Sequence, residues 1–178
     1  MLPPTNDSTD VNASLSVLSQ MTLPLAESGY YVIPVGPMEE TFKQNGLTEA
    51  NDIQDLPPAK LREIFGADAA LYTKITRYGA TYHVVDSTTV VSVTAHLVDL
   101  QTGTVLWTGT ASANNKENGN NDGGGLIGML VTAALQQIAS NVTDTAHDVA
   151  AVASQRLLFA GPPAGVLYGP RSPKYGTD

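Results

Sequence analysis

The sequence predicts an α/β domain, a mixed, mainly antiparallel sheet with helices mostly on one face. Three observations carry this reading. Residues 69–78, 82–99 and 104–113 are rich in β-branched and aromatic side chains and form three consecutive strand patterns. Residues 11–25 and 126–158 place apolar side chains at helical spacing before and after those strands. Leu100-Gln101-Thr102-Gly103 is short enough to turn the second strand directly into the third, and Gly103 takes a positive φ at little cost.

Taken in order, Leu2-Pro3-Pro4-Thr5-Asn6-Asp7-Ser8 reads as the end of a short or cut strand running into a turn-rich loop. Asn12 or Ser14 can cap the first helix, whose stripe is Val11, Leu15, Leu18, Met21 and Leu25. Pro24 should kink or loosen its last turn, and Gly29 ends it. Tyr30-Tyr31-Val32-Ile33-Pro34-Val35 has strand composition, and Pro34 assigns it to a strand end or an edge. Pro37 suits the first position of a short helix over 38–44 that stops at Asn45-Gly46. A second short helix is expected over 57–65, with Leu61, Ile64 and Phe65 inward and Gly66 as its stop. In the strand over 82–99, Val91, Val93, Ala95 and Leu97 share one face; Ser92, Thr94 and His96 share the other. Such alternation packs one face on helices and leaves the other to water or a partner. Residues 114–125 are polar and of low complexity, which reads as a loop. A helix, broken at most once, is expected over 126–158. The Pro/Gly-rich stretch 161–178 then forms a C-terminal extension beyond a domain of residues 1–160.

Composition excludes more than it names. The chain has 178 residues and a net charge of −8, so binding a phosphate backbone through a basic patch is not expected. Zero cysteines remove disulfides, thiolate metal sites and Cys nucleophiles. No stretch reaches the roughly 20 apolar residues of a membrane-spanning helix. Asp144 and His147 share a helical face as two possible metal ligands, but a site needs three or four and no further ligand lies near in sequence. His96 could join Asp86, Ser87 or Asp99 in a nucleophilic set, yet no serine sits in a Gly-x-Ser-x-Gly turn. Gly123-Gly124-Gly125 lacks the Lys-Ser/Thr of a phosphate loop, and the Asn118–Asp122 cluster lacks the downstream Glu of a calcium loop. No catalytic residue, cofactor or metal is therefore expected.

The stronger signals concern surfaces. The first half of the helix over 126–158 is apolar on nearly every side, so the sheet can cover only part of it. A homodimer or higher homo-oligomer is the expected cover, with Leu126, Ile127, Met129, Leu130 and Leu135 in the interface and Tyr168 and Tyr175 added from the extension. Two competing classes are a hydrolase using His96 with a nearby acid, and a small-ligand-binding module in the cleft between sheet and loop 114–125.

The stretch His96-Leu97-Val98-Asp99-Leu100-Gln101-Thr102-Gly103-Thr104-Val105-Leu106-Trp107 resembles the strand–turn–strand hallmark of the TolB N-terminal/CsgG-like fold. Asp99 and Thr102 would cap its turn and Trp107 would fill the helix-facing side. Gly66-Ala67-Asp68-Ala69-Ala70-Leu71-Tyr72 resembles the lead into that fold's central strand. Over nearly its whole length, including Leu158-Phe159-Ala160-Gly161-Pro162-Pro163, the chain is similar to a family of bacterial outer-membrane lipoproteins related to a genome-derived meningococcal antigen. The resemblance implies a periplasmic protein anchored to the outer membrane by an N-terminal lipid outside these residues. It also implies other envelope proteins as partners, and a binding or assembly role in transport or secretion rather than catalysis. Clear membrane-inserting hairpins of the CsgG kind are not evident, so pore formation is not expected.

Overall fold

The computed structural model describes residues 1–83, 86–116, 145–161 and 165–177, with backbone alone over 81–83 and 86–87. Its sheet has four strands in the order β1 (Thr5–Asn6), β2 (Ala69–His83), β3 (Asp86–Asp99) and β4 (Val105–Asn114). The last three form an antiparallel meander, and β1 adds in parallel through Thr5 opposite Lys74 and Asn6 opposite Ile75. The mixed sheet expected from the sequence is present. The opening segment is its short edge, held also by the Leu2 amide on the Leu71 carbonyl at 3.0 Å.

β2 runs further than its composition indicated. It passes Gly79, at φ +109°, and closes on β3 with His83 opposite Asp86, so β3 starts at Asp86 rather than at residue 82. Thr76 is an extra residue between the pairs Ile75–Val93 and Arg77–Ser92, a bulge that bends the strand without ending it. Alternation in β3 holds: Val91, Val93, Ala95 and Leu97 are buried, whereas Ser92, Thr94 and His96 lie on the opposite, more open face.

Helices α1 (Ala13–Glu27) and α5 (Thr145–Leu158) cover the apolar face and share one core with it. Ser16 of α1 meets His147 near the start of α5, and Ser28 meets Leu158 at its end, so the two helices run in the same direction. The face that α1 buries differs from the predicted stripe. Ala13, Val17, Leu18, Met21 and Leu25 point inward, while Val11 and Leu15 are 87% and 62% exposed. Both phases of this helix are apolar, and packing on the sheet and α5 selects the one that includes Ala13 and Val17.

Helices α2 (Val35–Gln44), α3 (Ala50–Gln54) and α4 (Pro58–Phe65) build a second, smaller core with Ala70, Tyr72, Val98 and Leu100. Ala70 and Tyr72 alternate with Leu71 and Thr73 on β2, so this core sits on the opposite sheet face. α2 starts at Val35, two residues before Pro37, and α3 was not evident in the sequence. Gly66 ends α4 in the left-handed region at φ +61°. Residues 30–34 form no strand. They run between the two cores, with Tyr30 and Val32 against the first and Ile33 against the second. Backbone partners for this corner come from the C-terminal extension: Gly169 N–H donates to Ser28 O at 2.8 Å and Arg171 N–H to Gly29 O at 2.9 Å. A Cβ on Gly29 would stand 2.5 Å from Ser172 N, so the crossing demands glycine there.

Candidate functional site

The β3–β4 hairpin is built as its sequence predicted. The Asp99 carboxylate accepts the amides of Gln101 (2.6 Å) and Thr102 (2.9 Å), and Gly103 turns at φ +74°. Those backbone bonds hold the Asp99 carboxyl below its ordinary pKa. Trp107, opposite Leu97, packs on the helix-facing core. Its indole lies over Gly109, where a Cβ would stand 2.5 Å from Cη2 and 3.2 Å from Leu157 Cδ1. The hairpin is thus a rigid mount for β4.

The candidate reactive residues are not brought together. His96 lies on the open face, stacked on Tyr72 with ring centroids 4.8 Å apart and planes 7° apart. Partial burial lowers its pKa. Asp86 and Ser87 are at the other end of β3, about 30 Å away at the rise of a strand. Asp99 spends its carboxylate on the turn. His147 joins α1, α5 and β2: Nδ1 lies 2.8 Å from Ser16 Oγ, Nε2 lies 2.6 Å from the Gln20 amide nitrogen, and Tyr78 O–H donates to Ser16 Oγ at 2.7 Å. An amide nitrogen only donates, so Nε2 accepts and Nδ1–H donates to the serine. That polarity is the reverse of a base activating a nucleophile, and the network is a structural fastening. Asp144, the other half of the predicted metal pair, lies outside the described residues, among which no cluster of metal-ligating side chains occurs.

Two surface features remain. β4 is an edge of the sheet among the described residues, ten residues long, and Val105-Leu106-Trp107-Thr108-Gly109-Thr110-Ala111-Ser112-Ala113-Asn114 holds no charge and no proline. Val105 and Leu106 are 51% and 44% exposed. A cavity of about 380 Å³ opens where the C-terminal extension crosses residues 29–33. Ile33, Met38, Leu61, Phe65 and Leu100 line its apolar wall, Asp68 and Arg171 stand in its lining as the charged side chains, and Met1 completes it beside Leu2.

Residues 1–171 match the family model described as "Putative lipoprotein GNA1162-like". The chain belongs to this family. It is 48% identical over 171 residues to "Putative lipoprotein NMB1124/NMB1162" of Neisseria meningitidis serogroup B (strain ATCC BAA-335 / MC58), covering 96% of this chain and 79% of the relative. The crystal structure of lipoprotein GNA1162 from Neisseria meningitidis superposes with a TM-score of 0.63 at 50% identity, over 79% of this chain and 96% of that one. The PelC dodecamer from Paraburkholderia phytofirmans is more remote, with a TM-score of 0.46 at 16% identity over 86% of this chain and 82% of that one.

Members of the GNA1162-like family are lipoproteins, a class held to a membrane by lipid. No described helix of this one is long and apolar enough to cross a membrane. Of the residues expected at an interface, Leu126, Ile127, Met129, Leu130 and Leu135 lie outside the described residues, as does loop 117–125. Tyr168 is half-buried within its own chain. Lys174 Nζ lies 5.5 Å from its ring centre, and its hydroxyl occupies the space a Cβ on Gly161 would need. Tyr175 is 62% exposed. The edge of β4 and the cavity were missed in the sequence. The edge had one legible signal, a strand pattern without a charged residue.

Proposed function

We propose that this GNA1162-like lipoprotein works without catalysis, on the periplasmic side of the outer membrane, as a self-associating element of a transport or secretion assembly. The observation that carries the reading is the edge of β4. Ten residues at roughly 3.3 Å each present about 33 Å of edge, with half of the backbone N–H and C=O groups directed outward. Natural edges are blunted by lysine, proline or bulges that turn them away. β4 carries neither lysine nor proline, and its pairing shift with β3 falls at its very start. Two copies that each carry −8 repel one another over most of their surface, and the stretch of β4 ahead of Ser112, whose carbonyl takes the Arg156 guanidinium at 2.6 Å, is where they can approach. Antiparallel pairing of β4 with β4 of a second copy would satisfy both edges at once and form a two-fold interface. In this arrangement residues 1–160 are the working domain and 161–178 the strap that locks its corner.

Sedimentation equilibrium over a micromolar-to-submillimolar series tests the reading. The native chain should gain mass with concentration, and Thr108→Lys with Thr110→Lys should hold it monomeric at unchanged thermal stability. A native chain monomeric throughout, or a lysine variant that associates equally well, would reject this edge as the interface.

A further inference from the structure

We infer that the cavity beside residues 29–33 is a binding site for a small amphiphile, an aliphatic body carrying one anionic head. This goes beyond the proposed function and does not rest on it. At about 380 Å³ the cavity is at the small end of the size range of ligand pockets. It is walled by three independent parts of the chain: Met38 and Leu61 from helices on the open sheet face, Ile33 from the irregular segment, and Leu100 from the hairpin turn. An aliphatic chain laid against that wall removes apolar surface from water.

The head is chosen by Arg171. Its backbone is pinned by the bond to Gly29 O, and its guanidinium lies 5.0 Å over the ring of Tyr31, which also lines the cavity. The ion pairs among the described residues are Lys60–Glu63 and Lys74–Asp7, so no described carboxylate pairs with this guanidinium. A planar fork stacked on an aromatic ring keeps its edge N–H groups available for two parallel bonds to a carboxylate or phosphate. Asp68, in the same lining, would repel that head and favour a cationic one. The two groups therefore make opposite predictions; both are held by a backbone bond, and Arg171 is the one also stacked on an aromatic ring of the lining.

The test is a titration of the whole chain with octanoate, octyl phosphate, 1-octanol and octylammonium, followed through the methyl NMR signals of Met38 and Leu61. Octanoate or octyl phosphate should move those signals saturably and bind about tenfold tighter than octanol, the worth of a charge-assisted bond. Preference between the two anions distinguishes a carboxylate from a phosphate head. Arg171→Gln should lose about that tenfold at unchanged melting temperature, Asp68→Asn should tighten binding, and Ala67→Trp should abolish it by filling the lining. Tighter binding of octylammonium, octanol equal to the anions, or shifts that survive Ala67→Trp in a folded protein would each overturn the inference.

Discussion

Gly109→Ala is a sharp test of how the hairpin is mounted on the helices. Ordinarily the change stabilises a strand by roughly 0.4–1 kcal/mol, because alanine leaves the unfolded chain less freedom. Gly109 is not among the positive-φ glycines, so its backbone raises no objection. The objection comes from Trp107. A Cβ would stand 2.5 Å from Cη2, closer still to Cζ2, and 3.2 Å from Leu157 Cδ1. The ring must leave its seat between β4 and α5, and overpacking of this kind costs about 1–3 kcal/mol. For a chain of this length that is a fall in Tm of roughly 3–10 °C. Trp107 is the only tryptophan, so its emission in a urea titration reports both the displaced ring and the lost stability. Trp107→Leu should remove the conflict, and Gly109→Ala in that background, followed by far-UV circular dichroism because the fluorophore is gone, should be neutral or stabilising. A stable Gly109→Ala protein, or a penalty that survives without the indole, would refute the packing described.

Other consequences follow from the same contacts. Gly29→Ala should cost more than about 1 kcal/mol, since it combines a φ of +96° with collision against Ser172; trypsin should then cut at Lys174 faster than in the native chain. Ser28→Ala removes the 2.6 Å bond to the Leu158 carbonyl and should cost about 1–3 kcal/mol by urea melting, because that acceptor is left buried. The carboxyl of Asp99 is held low by the Thr102 and Gln101 amides. Its contribution is therefore complete above the unfolded value near 3.8 and is lost as pH falls through the folded one. The advantage of the native chain over Asp99→Asn should shrink in acid, and an advantage constant with pH would count against the turn. His96 has the opposite sense. Burial lowers its pKa from 6.5, so stability should drop slightly as pH falls below 6.5 and level off below the folded pKa; His96→Gln should abolish that slope.

Much of this fold was legible because it depends on local rules. The β3 alternation, the Asp99–Gly103 turn and the stop at Gly66 each follow from a period or a backbone angle that a few neighbouring residues dictate. Errors arose where two readings were locally equal. The helix over 13–27 is apolar on both phases, so periodicity could not choose between Leu15 and Val17. Residues 30–34 have strand composition, but the Ser28–Gly29 corner that leads into them is bonded by Gly169 and Arg171, far along the chain. Gly79 reads as a break in composition, whereas pairing with β3 carries the strand through it.

The candidate site divides in the same way. A chain without cysteine already excluded thiol chemistry, because that depends on which groups are present. Where the groups stand was decided by the tertiary structure alone. It put His147 between two helices as a donor to serine, left His96 far along β3 from Asp86, and seated Trp107 over a glycine. It also left β4 as an edge and set Arg171 beside an apolar cavity. Side-chain periods and turn chemistry act over a few residues, so the sequence by itself determined the elements. Edges, cavities and charge neighbours arise from segments a hundred or more positions apart, and packing alone brings those together.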